Sequence, residues 1–499
     1  MPKGKLTVAQ RLTSYASELG DGVLTTDGNV LYCNACNKNV TAETKSHVEQ
    51  HLQTEKHMQK MQKQKRQKQP LMSPAVTPTS STTETTKQFH YDLTEALLLS
   101  DIPLWKLQNM AFKNFLSKYI PLHDIPNELV LRKKYLPILY QRTIQRIRET
   151  IGEKNVYLII DETTDGMNQH LCNVFIAPLS HEKFIPPMLL DCVVLDSTNS
   201  STISQSINNA LMLLWPNSVY YDRVFLLLTD AAPYMIKAGA GLSVLYPKMI
   251  YITCVLNAIH RVAEVVRSSY AEVDDLFVTV KQLFSKAPSR RRAFLDLTSL
   301  STLPPSPSSG RWGTWIEAAC FYQEHYAKVK RFVMELDENT PTIQRAKSAM
   351  RKSSITADLA AICTHFKPLV DAIVQLEEQG LRLTNAVDVV TTLNHSLEYG
   401  GRVTASASQK MGYVLSRNPG WSRIMSLARV LSGVSDDLPS NISPNVINCF
   451  NFAPIASFGA ERSFNEFKYF FRSNSASFTQ EHLMQQMVVL FNNKRFPSN

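Results

Sequence analysis

The apolar positions of this chain change their period along its length. Between Tyr91 and Thr150 they recur every three to four residues, as in DLTEALLLSDIPLWKLQNMAFKNFLSKYI, which predicts helices broken at Pro103. From Val156 the period shortens. VYLIID, LCNVFIAPL and PPMLLDCVVLD read as three successive strands joined by polar turns. STISQSINNALMLLW is an amphipathic helix opened by a Ser/Thr cap, VFLLLTD a strand and AAPYMIKAGAGLSVL a helix. MIYITC is then a further strand, running into the helix NAIHRVAEVVR. Strands separated by a helix normally lie parallel, so a meander followed by crossover units predicts a mixed five-stranded α/β sheet. From about 270 to 445 only helical segments with polar breaks follow, and APIASFGAERSFNEFKYFF and EHLMQQMVVLFNN close the chain as helices. Residues 69–88, QPLMSPAVTPTSSTTETTKQ, have the Pro/Ser/Thr bias of a flexible linker.

The expected organisation is therefore a Cys/His-bearing segment (1–68), the linker (69–88) and a helical segment (89–150). A first α/β part (151–270), an all-helical stretch (271–445) and a C-terminal part (446–499) complete it. With 499 residues, 44% hydrophobic and 19% charged, the chain has room for several cores and an ordinary globular composition. No apolar run approaches the roughly 20 residues that cross a bilayer, and MPKGKLTVAQ lacks a signal peptide's apolar core, so no membrane partner is expected. Nothing in the motifs points to a small-molecule substrate. Only Cys33 and Cys36 among the eight cysteines are closely spaced, which argues for a reducing compartment and one metal site rather than a disulfide framework. Cys172, Cys192, Cys320, Cys363 and Cys449 read as small buried apolar residues. A net charge of +10 suits an acidic partner, nucleic acid foremost.

LYCNACNKNVTAETKSHVEQHLQTEKHMQK offers Cys33 and Cys36 as a Cys-x-x-Cys pair, with His51 and His57 downstream. Two thiolates and two imidazoles complete a tetrahedral Zn²⁺ site. His47 stands one helical turn before His51 and is a rival ligand. HLQTEKH resembles the ending of BED-type fingers, which favours His51 and His57. So small a segment is expected to fold only with its metal. Behind it, KHMQKMQKQKRQK carries Lys56, Lys60, Lys63, Lys65, Arg66 and Lys68 and no acid. On a helix leaving the finger these would make salt-dependent contacts to DNA phosphates. A solvated charge run and a nuclear-import signal are the alternative readings.

Asp161 closes the first predicted strand and Asp230 the fourth. If these strands are parallel neighbours, their ends bring two carboxylates together, and a divalent cation between them relieves the repulsion. A third carboxylate would complete a two-metal site that activates one oxygen and stabilises another. Aspartates at strand ends also commonly cap turns. Glu162 and Asp165 read as turn-forming or supporting groups rather than ligands.

The stretches IIDETTD, LLLTDAAPYM, SGRWGTWIEAACFY and ASFGAERSFNEF resemble motifs of hAT superfamily DNA transposases, from about Val156 to the C-terminus. The resemblance implies a ribonuclease-H-like domain split by an all-helical insertion, with Asp161, Asp230 and Glu461 as a catalytic triad holding Mg²⁺ or Mn²⁺. It implies strand cleavage and transfer of a 3′-hydroxyl at transposon ends. It also gives Trp312, beside Arg311, the role of stacking on an unpaired base. For Trp312 a core position is the competing reading, and for Trp315 the preferred one. The C-terminal helices around 458–491 resemble the family's dimerisation segment, which implies a homo-oligomer.

Where the family carries Cys-x-x-His, this chain has Cys254-Val255-Leu256-Asn257, with His260 one turn further on. Asn257 can donate a hydrogen bond to a phosphate but cannot take up a proton near neutrality. That departure suits a second reading, a domesticated, transposase-derived zinc-finger protein that regulates transcription without catalysis. LYCNACNKNV…HLQTEKHMQK with DIPLWKLQNMAFKNFLSKYIP…LRKKYLP, roughly residues 20–140, is similar to CGG triplet repeat-binding proteins. This implies sequence-selective binding of duplex DNA, and hence a nuclear location.

Overall fold

A computed structural model describes the chain outside residues 1–6, 20–22, 37, 59, 61–79, 122, 165–168, 286, 309–312, 338–339, 436, 440–441, 458–478 and 497–499. It divides into two compact units, Met1–Thr85 and Thr86–Asn499.

In the first unit a helix, Val8–Leu19, precedes an antiparallel sheet of β1 (Leu24–Thr26), β2 (Leu31–Cys33) and β3 (Lys38–Val40), and the helix Lys45–Gln53 follows. The turn between β1 and β2 is built by Asp27, whose carboxylate accepts the N–H groups of Asn29 and Val30 at 2.9 and 2.8 Å. Gly28 supplies the positive φ of +90° that this turn requires. The core is small, with Leu12, Leu24, Leu31, Val40 and Val48 closing around Cys33 and Cys36.

The second unit is organised by β4 (Val156–Thr164), β5 (His170–Pro178), β6 (Met188–Leu195), β7 (Val224–Thr229) and β8 (Ile250–Thr253), in the order β6-β5-β4-β7-β8. The first three form the antiparallel meander, and β7 and β8 add in parallel, as a helix between strands dictates. Both faces are covered, which is why β5 is buried along nearly its whole length. One face carries the helices Ser200–Leu214 and Pro233–Leu245. On the other, Phe175 packs 5.1 Å from Phe491 of helix Gln480–Arg495, and Phe225 6.1 Å from Phe450. Among the described residues no strand follows Thr253.

Several expectations need correction. β4 does not end at Asp161, because β5 keeps pairing with it through Asp161–Asn173 to Thr164–His170. The helix Ser80–Leu99 begins inside the stretch read as linker, since the apolar stripe of FHYDLTEALLL carries the helix back into its Ser/Thr-rich start. Of the stretch 458–491 likened to a dimerisation segment, 458–478 lies outside the described residues, and the helix Gln480–Arg495 buries Leu483, Met487, Val488, Leu490 and Phe491 within its own chain. Cys320 and Cys363 are not isolated apolar residues. They form a disulfide between the helices Gly313–Glu335 and Ile355–Leu376, with Cα atoms 5.3 Å apart. Cys172 and Cys192 are buried as expected, whereas Cys449 is only partly so. Ile355–Leu376, at 22 residues, is long and apolar enough to cross a membrane, but its Leu359, Ile362, Phe366 and Leu369 are core residues.

One buried group on β6 gives the fold a pH dependence. Asp191 is 6% exposed and, among the described residues, accepts only the N–H of Cys192, at 2.9 Å. Burial pushes its pKa from 3.8 up to about 6. The folded-state pKa lies above the unfolded one, so this group's contribution is favourable in acid and is lost as pH rises from about 4 through 6. The difference is worth about 3 kcal/mol. Asp191→Asn is therefore expected to unfold at higher urea than the parent at pH 8, with the gap closing near pH 4. Equal midpoints at pH 8 would refute the assignment.

Candidate metal centre and nucleic-acid interface

Cys33 ends β2, Cys36 follows in the tight turn, His51 lies on the helix Lys45–Gln53 and His57 just beyond it. Their ligand atoms all lie within 4.8 Å of one another. His57 Nδ1 is 3.5 Å from Cys33 Sγ and 3.3 Å from Cys36 Sγ. A tetrahedral ion with Zn–S near 2.3 Å and Zn–N near 2.0 Å would separate nitrogen from sulfur by about 3.5 Å. His51 stands edge-on to His57 at 5.1 Å, and its buried Nε2 has no hydrogen-bond partner among the described residues. Burial lowers the pKa of both histidines, and it raises that of Cys36, with Cys33 adding to the rise. Neutral imidazole is the ligating form, and a thiol so placed gives up its proton when a cation arrives. The four residues fit Zn²⁺, and His47 is not part of the cluster. Lys60 donates to the Cys36 carbonyl at 3.0 Å, and both it and Lys56 are exposed. Lys63, Lys65, Arg66 and Lys68 lie outside the described residues.

In the second unit Leu158 sits beside Leu227 and Ile159 beside Leu228, in parallel register. Counting two residues on brings Asp161 level with Asp230, just past the last β4–β7 pair, although β4 itself runs on to Thr164. Asp230 directly follows β7 and accepts the Ala232 N–H at 3.0 Å. Burial raises its pKa, the Ala232 N–H opposes this, and Glu162 raises it while Arg261 lowers it.

Sequence reasoning missed the part played by Glu162. It alternates to the face of β4 opposite Asp161, where its carboxylate meets His170 Nδ1 at 2.6 Å, the Tyr234 hydroxyl at 2.5 Å and the Thr198 hydroxyl at 3.4 Å. It is thus a half-buried strand residue joining three segments, a supporting group rather than a turn former. Burial first, and then the bond to Glu162, pushes the Tyr234 pKa up.

The end of β8 holds Cys254, whose sulfur accepts the Ser457 N–H at 3.4 Å, while Val255 donates to Ile455 at 2.9 Å. Asn257 and His260 sit half-buried on the helix Val255–Ser269. Trp315 is 1% exposed and donates to Asp274 at 2.9 Å, so it belongs to the core. Asp165, Arg311, Trp312 and Glu461 lie outside the described residues. Among the described residues, the N-terminal cluster is the one group of three or more Cys, His, Asp or Glu side chains close enough to hold a metal.

Comparison with known proteins bears on the first of these sites. Residues 3–63 match the family described as the CGGBP1 N-terminal domain. CGG triplet repeat-binding protein 1 of Homo sapiens is 28% identical over 145 residues, covering 28% of this chain and 84% of that protein. Its Mus musculus counterpart is 27% identical over 152 residues, with the same coverage of 28% and 84%. The N-terminal part of the chain is therefore similar to these proteins, as its motifs led one to expect.

Proposed function

We propose that the chain is a nuclear, transposase-derived DNA-binding protein whose Zn²⁺-held module docks on duplex DNA. The observation that carries this is the four-donor cluster of Cys33, Cys36, His51 and His57 inside the segment that matches the CGGBP1 N-terminal domain. Lys56 and Lys60, exposed beside the cluster, are suited to phosphate contacts. The helical segment 89–150 offers further aromatic and basic surface. Trp105 is 39% exposed under the Lys106 ammonium, 4.2 Å from its ring, and Tyr119 is 63% exposed beside Phe115 and Lys118. Duplexes carrying CGG triplets are the first probe, because the relatives' name gives that target. Anisotropy should show binding that weakens with salt, and Lys56→Ala and Lys60→Ala should each lower the salt slope by about one. Affinity indifferent to salt and to both substitutions would refute the proposal.

A second reading, an active hAT-type transposase with Asp161, Asp230 and Glu461 holding Mg²⁺ or Mn²⁺, is favoured by one observation. The strand order β6-β5-β4-β7-β8 is that expected of a ribonuclease-H-like sheet, and it sets both aspartates at the same edge. Asn257, in place of the family's histidine, weighs against it. The two readings separate in a strand-cleavage assay on the element's terminal repeats. Cleavage lost in Asp230→Ala supports catalysis, and no cleavage by either protein leaves a binding protein on a transposase scaffold. Any homo-oligomer would have to use surfaces other than the buried side of helix Gln480–Arg495.

A further inference from the structure

We infer that a groove beside Asp230 holds a stretch of unpaired DNA. The proposal rests on the reading of the protein as DNA-binding, and on neither the finger nor catalysis. The groove lies where the helix Arg402–Ser416 packs on Val255–Ser269, and its walls include Ala231, Cys254, Arg261, Tyr413 and Arg417. Ala231 is the residue after Asp230, so the groove opens at the carboxyl edge of the sheet.

Its chemistry is uneven in one direction. No carboxylate lines it among the described residues. Arg261 and Arg417 are exposed, and Arg261 is close enough to Asp230 for its charge to lower that carboxyl's pKa. Tyr413 is 54% exposed, with the Arg417 guanidinium 5.4 Å and the Lys410 ammonium 5.6 Å from its ring. A large aromatic ring left open between two cations contributes little to the core and offers a face to a planar ligand. Bases in a duplex already stack on one another, so such a face takes an unpaired base, while the cations track the phosphates on either side. Ile236 also lines a second hollow beside β8, where Arg423 adds a further cationic side chain. The two hollows share Ile236, so one strand can run past Arg417 and Arg261 towards Arg423.

The test uses the full, zinc-loaded chain and a single strand of about 12 nucleotides, within the usual site sizes, substituted with 5-iododeoxyuridine. Irradiation should cross-link the strand to Tyr413, identified by peptide mass. Tyr413→Ala should abolish that cross-link, and Arg417→Glu should weaken single-strand binding by about tenfold or more. Both side chains are exposed, so thermal unfolding should not move, and duplex binding through the N-terminal module should be unchanged. Single-strand affinity that neither substitution alters, with duplex binding intact, overturns the groove and leaves the DNA-binding reading standing. Loss of both kinds of binding in the parent protein overturns both.

Discussion

Replacing Cys36 with serine, or removing the metal with a chelator, is expected to unfold the N-terminal module and abolish duplex binding. The physical reason is how little else holds it. Apart from the two ligand cysteines, five side chains form its buried cluster, Leu12, Leu24, Leu31, Val40 and Val48. Each contributes only about 1.5–3 kcal/mol when fully buried. Structural zinc in comparable modules supplies roughly 10–16 kcal/mol, a term as large as the whole core, and without it the core alone must offset the entropy of ordering the segment, about 1–2 kcal/mol per residue. Without the ion, two thiols and two imidazoles whose donor atoms lie within 4.8 Å are left partly buried around nothing. The measurement is zinc stoichiometry with circular dichroism, expected at one ion per chain in the parent and in His47→Ala, and at none in Cys36→Ser. Tryptophan fluorescence is the internal control. All five tryptophans, Trp105, Trp215, Trp312, Trp315 and Trp421, belong to the second unit and should not respond. A metal-free module that keeps its helices and its affinity for DNA would sink the idea.

How much of this could be read from the chain depends on whether the signal is local. The zinc ligands were legible because Cys-x-x-Cys and HLQTEKH are short, and the cluster of Cys33, Cys36, His51 and His57 forms from those residues, without His47. The sheet was legible because its strands are nearly unbroken apolar runs separated by helices, a pattern that fixes parallel against antiparallel neighbours. Strand ends were not. A carboxylate looks like a stop, yet the pairing of Asp161 with Asn173 carries β4 on to Thr164. The turn-forming half of the reading of Glu162 failed for a related reason. Its partners His170, Thr198 and Tyr234 come from three separate segments, and no spacing along the chain announces them. The bond between Cys320 and Cys363 is likewise a product of helix packing across 43 residues. The buried asparagines Asn418 and Asn492 are the most consequential of these non-local features.

Removing either asparagine is expected to cost roughly 2–6 kcal/mol. A sheet of five strands has two open edges, each with a row of backbone groups that need partners. At β8 the Asn418 side chain supplies both, its Oδ1 accepting the Thr253 N–H at 3.0 Å and its Nδ2 donating to the Thr253 carbonyl at 2.7 Å. At β6 Asn492 does the same for Leu189, at 3.1 and 2.8 Å. One amide at each edge thus takes the place of a neighbouring strand, and both are buried, at 5% and 1% exposure. Gly420 lets the first of them approach, because a Cβ there would collide with the Tyr251 carbonyl oxygen. In Asn418→Ala or Asn492→Ala two buried backbone groups lose their partners, at about 1–3 kcal/mol each. Asn418→Asp should fare no better, since a carboxylate cannot donate to the Thr253 carbonyl. The two edges lie about 19 Å apart across four strand spacings, so the effects should add in the double variant. That sum approaches the whole stability of an ordinary domain, about 5–15 kcal/mol. Urea unfolding followed by tryptophan fluorescence should show lower midpoints with an unchanged slope. Single variants within about 0.5 kcal/mol of the parent, the range of ordinary surface changes, would mean that solvent satisfies these edges as well as the amides do.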